Sequence, residues 1–550
     1  MSTTMTPLTQ QILVSIYVRR DIHENGMTLK EYADEVIAGI KPTLSHDEYV
    51  YQFGSVQDEI TLVEEWATSN NLSIVESGAG IGTVKVYGTI EIFNNLFNII
   101  SQTVIEDTGR TYITHAGTLT IPPGIDHVVQ AILGLDNSIQ LTNNAILDEN
   151  VSTPIAPNII VSPDILPIAV AYKFPRAVGS DQIQGKGACV AILSMSGGYT
   201  TANLTSTFSR IGLANPTVVD VSVDGGTNNV NYDPSGGNVE NMLDIYCVGA
   251  IVPSAKIAFY SAPNTFASFV NVINAMANDV INNPSVISIS WGALETYWGS
   301  YIGTLDSAIQ SAVVKGITTF VASGDYGIRA QSGSPLWTVQ LPAASAYCVA
   351  AGGTVLTLND DYSILYEIAW GTSSIYAGGG GKSELFSLPA WQTGCSTTTT
   401  PSPTTAPLTV RGIPDVSANA TYYYIYYGPS NLFASASGTS ASAPLLAGLM
   451  ARLNQLTSRR IGFVNADWYG ARTTAFYDTT SGNNMGNNVS GYQATSGWDG
   501  CTGLGSPIGT ELYKLVNIGE TFPKCNYGFR PPRAVGGQTY PRISTGLRIS

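Results

Sequence analysis

The stretch ACVAILSM (188–195) is apolar at almost every position, which is typical of a strand buried on both faces of a sheet. Similar runs recur along the chain, and a stretch with helical periodicity separates each from the next. We predict further strands at 256–262, 286–292, 318–324 and 347–354, with helices at 201–213, 239–252, 266–281 and 301–316. Apolar strands that alternate with helices predict an α/β domain with a parallel sheet, where ligands bind beyond the carboxyl ends of the strands.

The first hundred residues follow a different pattern. Short strand-like runs alternate with helical stretches, which predicts a small α+β domain with strands at 12–18, 73–77 and 83–88 and helices at 28–37, 56–71 and 89–100. This part is acidic, since residues 1–152 hold six of the 25 basic residues and 19 of the 40 acidic ones. A segment rich in Asn, Pro and Ser, roughly 137–165, predicts a domain boundary.

Composition excludes several classes of protein. No basic stripe runs through the body of the chain, so we expect no nucleic-acid partner. The apolar run 12–18 is too short to cross a membrane, and Arg19 and Arg20 follow it, an order that does not fit a signal peptide. We therefore expect no membrane partner. Charged residues make up 12% of the chain against an ordinary share of about 25%, which is compatible with work at acid pH.

The stretch SGTSASAP (437–444) has the form of a nucleophile turn, with small residues around a serine that precede a helix. A serine hydroxyl needs a base to take its proton, and the usual base is histidine. The four histidines all lie at or before position 127, so none is available in the α/β domain. If Ser440 is a nucleophile, its base must be a carboxylate, a lysine or a tyrosine.

Two groups of carboxyl residues are candidates. Glu240 and Asp244 stand four residues apart in GGNVENMLDIYCVGA (236–250) and share one face of a predicted helix with apolar neighbours. Two adjacent carboxyls repel each other when both are ionised, so one proton tends to be kept between them. Asp325 follows a predicted strand, at the sheet edge where parallel sheets bind ligands. The alternatives are a solvated acidic helix face for the pair and a turn residue between glycines for Asp325.

Taken together, these motifs resemble the sedolisin family of serine-carboxyl peptidases. The family's Glu-x-x-x-Asp helix matches Glu240 and Asp244, its Ser-Gly-Asp motif matches 323–325, and its Gly-Thr-Ser-x-x-x-Pro motif matches 438–444. Further matches occur in order along the chain at SISWG (288–292), VAAGGTVL (349–356), GGGGKSELFSLPAWQ (378–392) and RGIPDVSANA (411–420). In the N-terminal part, VYGTIEIFNNLF (86–97) and AILGLDN (131–137) are similar to the family's prosegment.

The resemblance implies a role for each catalytic residue. Ser440 would be the nucleophile, Glu240 its general base, and Asp244 the residue that orients Glu240. Asp325, if protonated, would donate a hydrogen bond to the oxyanion. The resemblance also implies that substrate contacts come from Ser290, Trp291, Gly292 and Gly380.

The resemblance also implies one structural Ca²⁺ near the C-terminal end. The stretches AFYDTTSGNN (475–484) and YQATSGWDGCTGLGSP (492–507) are similar to the family's calcium loop. Asp478 and Asp499 would supply carboxylates, and main-chain oxygens of Thr479, Thr495 and Gly497 would complete the oxygen shell. The family usually has glycine where Thr495 stands and an aliphatic residue where Thr479 stands. Without the resemblance, this is an Asp/Gly loop.

The implied organisation is an inhibitory α+β prosegment of antiparallel, ferredoxin-like type with its linker (1–155), a subtilisin-like catalytic domain (156–516), and a basic Pro/Gly-rich tail (517–550). The tail is either disordered or bound to a partner surface. The implied partners are polypeptide substrates and the chain's own prosegment. The implied location is extracellular or an acidic compartment. Cys395, Cys501 and Cys525 stand in predicted loops where bridging is conceivable.

We therefore expect an acid-acting endopeptidase made as a self-processing zymogen. A tripeptidyl-peptidase of the same family is the alternative, because the sequence does not show whether one end of the substrate groove is blocked. A catalytically idle structural or particle component on the same fold is a second alternative. The intact Ser440, Glu240, Asp244 and Asp325 argue against an idle protein.

Overall fold

A computed structural model describes residues 1–20, 26–148, 159–161, 164–178, 181–372 and 374–517. The predicted tail lies outside these residues, as does Cys525. No helix in the described ranges is long and apolar enough to span a membrane.

The N-terminal domain is built on an antiparallel sheet whose strand order is Ser73–Gly78, Thr83–Thr89, Gln11–Val18 and Val129–Leu133. The first and third of its four strands in chain order lie in the middle of the sheet, and the second and fourth lie at its edges, which is the order of a ferredoxin-like βαββαβ unit. Its helices are Leu29–Ile37, His46–Phe53, Gln57–Ser69 and Ile90–Phe97. A second small sheet contains Ser2–Met5, Ile100–Ile105 and Thr111–Ala116. The predicted α+β prosegment fold is confirmed.

Local sequence signals set where these helices begin. Thr28 and Ser45 each accept a hydrogen bond from the backbone N–H three residues on. In turn, the backbone N–H groups of Thr28 and Ser45 donate to the carboxylates of Glu31 and Glu48. These are capping boxes, which satisfy backbone donors that the first helical turn leaves free. The helices Leu29–Ile37 and His46–Phe53 therefore begin directly after a threonine or serine that a glutamate follows three residues later.

The catalytic domain contains the predicted parallel sheet. Across it, the strands follow the order Ile159–Val161, Val349–Asn359, Thr318–Ala322, Val286–Ile289, Cys189–Ser194, Lys256–Ser261 and Thr217–Ser222. Val416–Asn419 adds a parallel partner to the long strand, while Ile159–Val161 and Ile364–Ala369 pair with it antiparallel. The helices Thr201–Arg210, Gly237–Ile251, Phe266–Asn278, Ile302–Val314 and Thr439–Thr457 cover its faces. The α/β prediction is confirmed.

Two strands differ from expectation. Thr217–Ser222 was not predicted, because it is an edge strand with exposed and half-buried side chains rather than a continuous apolar run. The run predicted at 286–292 divides: Val286–Ile289 stays in the sheet, and Trp291–Leu294 leaves it to pair with Gln340–Leu341. That departure opens the sheet edge where the candidate site lies.

Shorter elements complete the description. The further strands are Thr142–Asn143, Ile146–Leu147, Ala177–Val178, Asp181–Gln182, Gly381–Ser387, Ser396–Thr400, Thr405–Pro407, Val410–Ile413, Tyr423–Tyr427, Leu432–Ser437, Phe476–Tyr477, Gly491–Tyr492 and Ser506–Pro507, and the further helices are Ile165–Ala171, Asn465–Gly470 and Gly509–Asn517. The Thr-rich stretch 395–409, which its composition predicts as a solvated loop, instead forms a β-hairpin. Cys395 and Cys501 are buried free thiols, as are the other described cysteines.

The two domains share one apolar core. Side chains of the N-terminal helices and sheet, including Tyr49 and Phe53, belong to the same buried cluster as Phe269 and Ile273 of the catalytic domain. Polar contacts complement it: Lys85 Nζ lies 2.8 Å from Asp224 Oδ1, and both side chains are almost fully buried. The N-terminal domain therefore docks on the larger domain through a continuous buried cluster and a buried ion pair.

Candidate active site

Ser440 lies in the first turn of the buried helix Thr439–Thr457. Gly438 precedes this helix with φ +143°, a backbone conformation that a side chain would strain. The Ser440 hydroxyl donates a hydrogen bond of 2.8 Å to Glu240 Oε2, and both side chains are fully buried. A serine in this contact is able to pass its proton directly to a carboxylate.

Glu240 and Asp244 lie one turn apart on the helix Gly237–Ile251, as predicted, but the solvated-face alternative is excluded because both are fully buried. Burial raises the pKa of both carboxyls well above their ordinary range, and for Glu240 the neighbouring Asp244 charge adds to the effect. Asp244 Oδ1 accepts a hydrogen bond of 2.8 Å from Ser290 Oγ. Within the described structure, Glu240 Oε1 and Asp244 Oδ2 are buried with no hydrogen-bond partner.

Asp325 follows the strand Thr318–Ala322 and reaches the same place from the sheet edge. Its Oδ1 accepts hydrogen bonds from the Thr439 backbone N–H at 2.8 Å and the Thr439 hydroxyl at 2.9 Å. Its Oδ2 is buried and has no partner in the part of the chain that is described. Burial raises the pKa of Asp325 to about 8, so this carboxyl is neutral at acid pH.

The cleft between these groups is occupied by the chain's own residues 142–148. Thr142 and Asn143 pair antiparallel with Gly292 and Trp291, and after the cleft Ile146 pairs with Ser437. Sequence composition predicts a domain boundary here, and the structure adds that the segment runs as an extended strand past Ser440.

Asn144 stands at the centre of this segment. Its backbone N–H donates to Glu240 Oε2 at 3.0 Å and to Ser290 O at 3.2 Å. Its carbonyl oxygen lies 1.9 Å from the position that a Cβ on Gly438 would occupy, and Asp325 Oδ2 lies 2.7 Å from that same position. The Asn144 carbonyl and the unpartnered Asp325 oxygen therefore share one small volume.

The side chain of Asn144 is also bound. Its Nδ2 donates to Ser290 O at 3.2 Å and to Gln340 Oε1 at 3.3 Å, and Gln340 Nε2 donates to Asn144 Oδ1 at 3.2 Å. Sequence reasoning missed both Asn144 and Gln340. The available signals were the strand-like pattern of QLTNNAIL (140–147) and a polar residue in the otherwise apolar VQLPAA (339–344).

The predicted substrate-binding residues fall in two places. Ser290, Trp291 and Gly292 lie along the segment in the cleft, as the contacts above show. Gly380 packs elsewhere: its N–H donates to Gly327 O at 3.1 Å, and a Cβ there would meet Gly500 O at 2.0 Å. A substrate contact of Gly380 stays a prediction.

The predicted calcium residues lie together in the loop 478–502. Asp478 Oδ2 accepts a hydrogen bond of 2.8 Å from Gly497 N–H, and Asp499 Oδ2 accepts one of 2.9 Å from Thr495 N–H. The hydroxyl oxygen of Thr479 is buried without a partner among the residues described. These are hard oxygen donors, so the residues fit Ca²⁺.

Carboxylates alone would not complete that shell. Over the described ranges, no group of three or more His, Cys, Asp or Glu side chains is gathered to hold a metal ion. A Ca²⁺ ion in this loop would therefore depend on main-chain oxygens, as the sequence pattern predicts for Thr479, Thr495 and Gly497. Burial raises the pKa of Asp499 to about 7, and a bound cation would favour its ionised form.

Comparison with known proteins agrees with this geometry. The chain matches the Subtilase family over residues 235–492 and the pro-kumamolisin activation domain over residues 5–138. Kumamolisin of Bacillus sp. (strain MN-32) is 33% identical over 92% of this chain and 92% of the relative. Tripeptidyl-peptidase 1 of Dictyostelium discoideum is 30% identical over 52% of this chain and 48% of the relative. The solved structure of Pseudomonas sedolisin, a serine-carboxyl proteinase, aligns with a TM-score of 0.55 and 27% identity, covering 64% of this chain and 97% of that one.

Fold and site define the class as a subtilisin-like α/β peptidase in which a carboxyl group, in place of histidine, contacts the serine. More narrowly, the chain belongs to the sedolisin family of serine-carboxyl peptidases and carries the activation domain of kumamolisin-type zymogens at its N-terminus.

Proposed function

We propose that this protein is an acid-acting endopeptidase made as a zymogen that processes itself. The observation that carries the proposal is the 2.8 Å hydrogen bond from Ser440 to Glu240, located in a cleft that the chain's own residues 142–148 cross. A nucleophile and its base are thus in contact beside a bound peptide before any external substrate arrives.

Ser440 is the nucleophile and Glu240 the general base. Glu240 Oε2 takes the proton of the hydroxyl as Ser440 attacks, and later returns it to the departing amine. Asp244 positions Glu240 and keeps a proton at the unpartnered oxygens of the pair, so that Glu240 is available as a proton acceptor. Ser290 in turn holds Asp244 through its 2.8 Å hydrogen bond.

Asp325 is the oxyanion donor. Its unpartnered Oδ2 lies beside the carbonyl oxygen of Asn144, where negative charge develops when a carbonyl is attacked. Only the protonated acid donates a hydrogen bond. Burial keeps this proton up to a pKa of about 8 with the cleft filled, and solvent that enters after the segment leaves would lower that value. Acid pH therefore suits the open enzyme.

The enzyme acts as an endopeptidase because the cleft accepts chain on both sides of Ser440. Residues before Asn144 continue without a break towards the N-terminal domain, and Leu141 has its own partner in Asn264, which accepts from its N–H and donates to its carbonyl oxygen at 2.9 Å each. A tripeptidyl-peptidase needs this end of the groove closed to longer chains. The bound segment favours the endopeptidase over that alternative.

Residues 1–155 serve as the inhibitory prosegment and linker, ahead of the catalytic domain at 156–516. The domain docks through a shared apolar core and a buried ion pair between Lys85 and Asp224, with Glu76 also 2.8 Å from Lys85. Without the negative charge of these carboxylates, the Lys85 ammonium would be buried with no counter-charge, which is strongly unfavourable. Loss of these charges thus weakens docking at a pH where Asp325 holds its proton.

One Ca²⁺ ion supports the loop 478–502 structurally. Asp478 and Asp499 would bind it together with main-chain oxygens of Thr479, Thr495 and Gly497. When bound, the ion supplies positive charge that balances two carboxylates and ties two stretches of chain together. It takes no part in peptide hydrolysis.

The test is to acidify the purified full-length protein and to follow both processing and turnover. We expect a new N-terminus between about 140 and 175, followed by cleavage of a denatured protein and of a peptide with an acetylated N-terminus. The Ser440→Ala protein should stay whole under the same conditions. Processing of Ser440→Ala with no other protease present would contradict self-processing, and activity restricted to free N-termini would favour the tripeptidyl-peptidase.

A further inference from the structure

Gln340 is a buried polar residue whose side chain faces the cleft and is explained neither by the fold nor by the reaction. It lies on the short strand Gln340–Leu341 and is 1% exposed. Its Nε2 donates to Ala330 O, which fixes the orientation of the amide and turns Oε1 towards the cleft. A Cβ on Gly292 would lie 2.7 Å from that Oε1, so only glycine leaves room for it.

The side-chain amide of Gln340 pairs with the side-chain amide of Asn144. Asn144 and Gln340 exchange two hydrogen bonds, and the second Nδ2 proton of Asn144 goes to Ser290 O. The Asn144 side chain is 2% exposed, so these partners replace water almost completely. A side-chain amide satisfies this pocket, whereas an aliphatic side chain would leave Gln340 Oε1 and one Nε2 proton of Gln340 without a partner.

Asn144 is also the residue whose carbonyl is placed for attack. Its N–H reaches Glu240 Oε2, the same oxygen that accepts the Ser440 proton, and its carbonyl oxygen lies beside Asp325 Oδ2. The bond that follows this carbonyl joins Asn144 to Ala145, and beyond it Ile146 is again held by Ser437.

We propose that Gln340 makes this peptidase selective for asparagine before the cut bond, and that its first substrate is its own Asn144–Ala145 bond. This inference rests on the proposed function. Ser440 Oγ bonds to the Asn144 carbonyl carbon as its proton passes to Glu240. The bond to Ala145 then breaks as Glu240 returns the proton to the departing amine. Water finally hydrolyses the ester to free Ser440 and leave a carboxylate on Asn144.

The pocket also predicts how selectivity depends on pH. An ionised aspartate in place of Asn144 would set an acceptor against Gln340 Oε1 and Ser290 O, where donors are required. A protonated aspartate has one donor to offer. The preference for asparagine over aspartate should therefore shrink as the pH falls below about 4, the ordinary carboxyl range.

The experiment uses the full-length chain and four forms of it: wild type, Asn144→Leu, Gln340→Met and the double variant. After acidification, mass spectrometry of the first released fragment should give a C-terminus at Asn144 in the wild type. Each single variant should process about 10- to 100-fold more slowly, since one buried amide loses its partner. The double variant, with two apolar side chains in contact, should recover at least part of the rate.

The processed enzymes then separate specificity from structure. On quenched-fluorescent peptides with the sequence of residues 141–148, wild type should prefer asparagine over leucine at the position of Asn144 about 10- to 100-fold. The enzyme from the double variant, which carries Gln340→Met, should lose that preference. Gln310→Met removes another buried glutamine amide away from the cleft and should keep it.

A first cut at another bond in the wild type would overturn the inference. An equal loss on both peptides in the Gln340→Met enzyme would also overturn it, because it would mean a structural role. If peptides and denatured protein are cleaved without preference for asparagine, this inference fails and the proposed function stands. If wild type cleaves nothing at acid pH, both fail together.

Discussion

Carboxyl groups are buried at several places in the described structure, and two of these regions, the loop 478–502 and the cleft, differ in how completely the carboxyl oxygens are hydrogen-bonded. In the loop 478–502, Asp499 accepts from the backbone N–H groups of Thr495, Cys501 and Thr502, so both of its oxygens have donors. In the cleft, Glu240 and its two neighbouring carboxyls each keep one buried oxygen that has no hydrogen-bond partner among the described residues.

The difference separates carboxyls that hold structure from carboxyls that handle protons. Backbone N–H donors favour the anion, and a bound cation would favour it further. A buried oxygen without a donor favours the neutral acid, which carries its own proton to that position. Burial raises the pKa of Asp499 to about 7 and that of Asp325 to about 8. Because burial raises both values, the two regions are distinguished by the hydrogen bonds of each carboxyl oxygen and not by burial alone.

The largest effect should come from the serine and its base. Ser440→Ala and Glu240→Gln should each reduce turnover by roughly 10⁴-fold or more, because the first variant lacks the nucleophile and the second lacks the group that accepts its proton. Turnover of a denatured protein at acid pH measures this, with circular dichroism to confirm the fold. Wild-type turnover in Glu240→Gln would mean that another group is the base.

Substitutions of Asp325 test whether a carboxyl oxygen without a partner acts as a hydrogen-bond donor in the cleft. Asp325→Ala should lower turnover by roughly 10²- to 10³-fold, the usual effect of losing one oxyanion donor. Asp325→Asn should retain more activity and extend it towards neutral pH, since an amide donates at any pH. The measurement is the pH profile of turnover for both variants. An unchanged profile in Asp325→Asn would remove Asp325 from the oxyanion role.

The pH dependence of stability tests the same carboxyl without catalysis. Asp325 holds its proton to about pH 8 in the folded chain but has a pKa near 3.8 in the unfolded one, so the folded state binds more protons between these values. Stability should therefore fall as the pH rises from about 4 to 8, by an amount on the order of 5 kcal/mol from this group.

Denaturant unfolding of the uncut Ser440→Ala chain measures that fall. Adding Asp325→Asn removes the titrating group, so the loss of stability towards pH 8 should become smaller. Asp360→Asn, at an exposed carboxyl, is the matched control and should leave the dependence unchanged. An identical pH dependence in Asp325→Asn would show that this carboxyl carries no raised pKa in the folded chain.

The smallest effect should come from the loop 478–502. A site filled at a calcium concentration 100-fold above its dissociation constant stabilises the fold by about 2.7 kcal/mol, so chelation should lower the melting temperature by several degrees. Asp499→Asn should remove the sensitivity to chelator but leave turnover of the cleft chemistry intact at low temperature. An unchanged melting temperature, in protein shown by elemental analysis to have lost its metal, would count against the site.

Much of the architecture was predictable because it depends on local patterns of residue type and spacing. The buried parallel strands are continuous apolar runs, and the spacing of Glu240 and Asp244 puts both on one helix face. Ser440 and Asp325 were identifiable from short motifs that stand at fixed places in a fold, at a helix start and at a strand end. Asp325 hydrogen-bonds to Thr439, the residue before Ser440, at the edge where the parallel strands end.

What the sequence did not show depends on contacts between distant segments. The amide pair of Asn144 and Gln340 joins residues 196 positions apart, and neither residue belongs to a periodic pattern. The hairpin Ser396–Thr400 with Thr405–Pro407 was hidden because threonine-rich sequence suits both a solvated loop and an exposed strand. The burial of Glu240 and Asp244 likewise required a second buried helix, Thr439–Thr457, to pack against the helix that carries them.

The strand pairing on either side of Ser440 limits what this enzyme is able to digest. Main-chain hydrogen bonds hold residues 142–148 on both sides of Ser440. A substrate that replaces them must therefore present about seven residues in extended form, with their N–H and C=O groups free to pair. Intact globular proteins use these groups in their own sheets and helices. Acid unfolds many proteins by protonating carboxylates that stabilised them. If acid activates the peptidase as we propose, the same medium also exposes the extended segments that its cleft accepts.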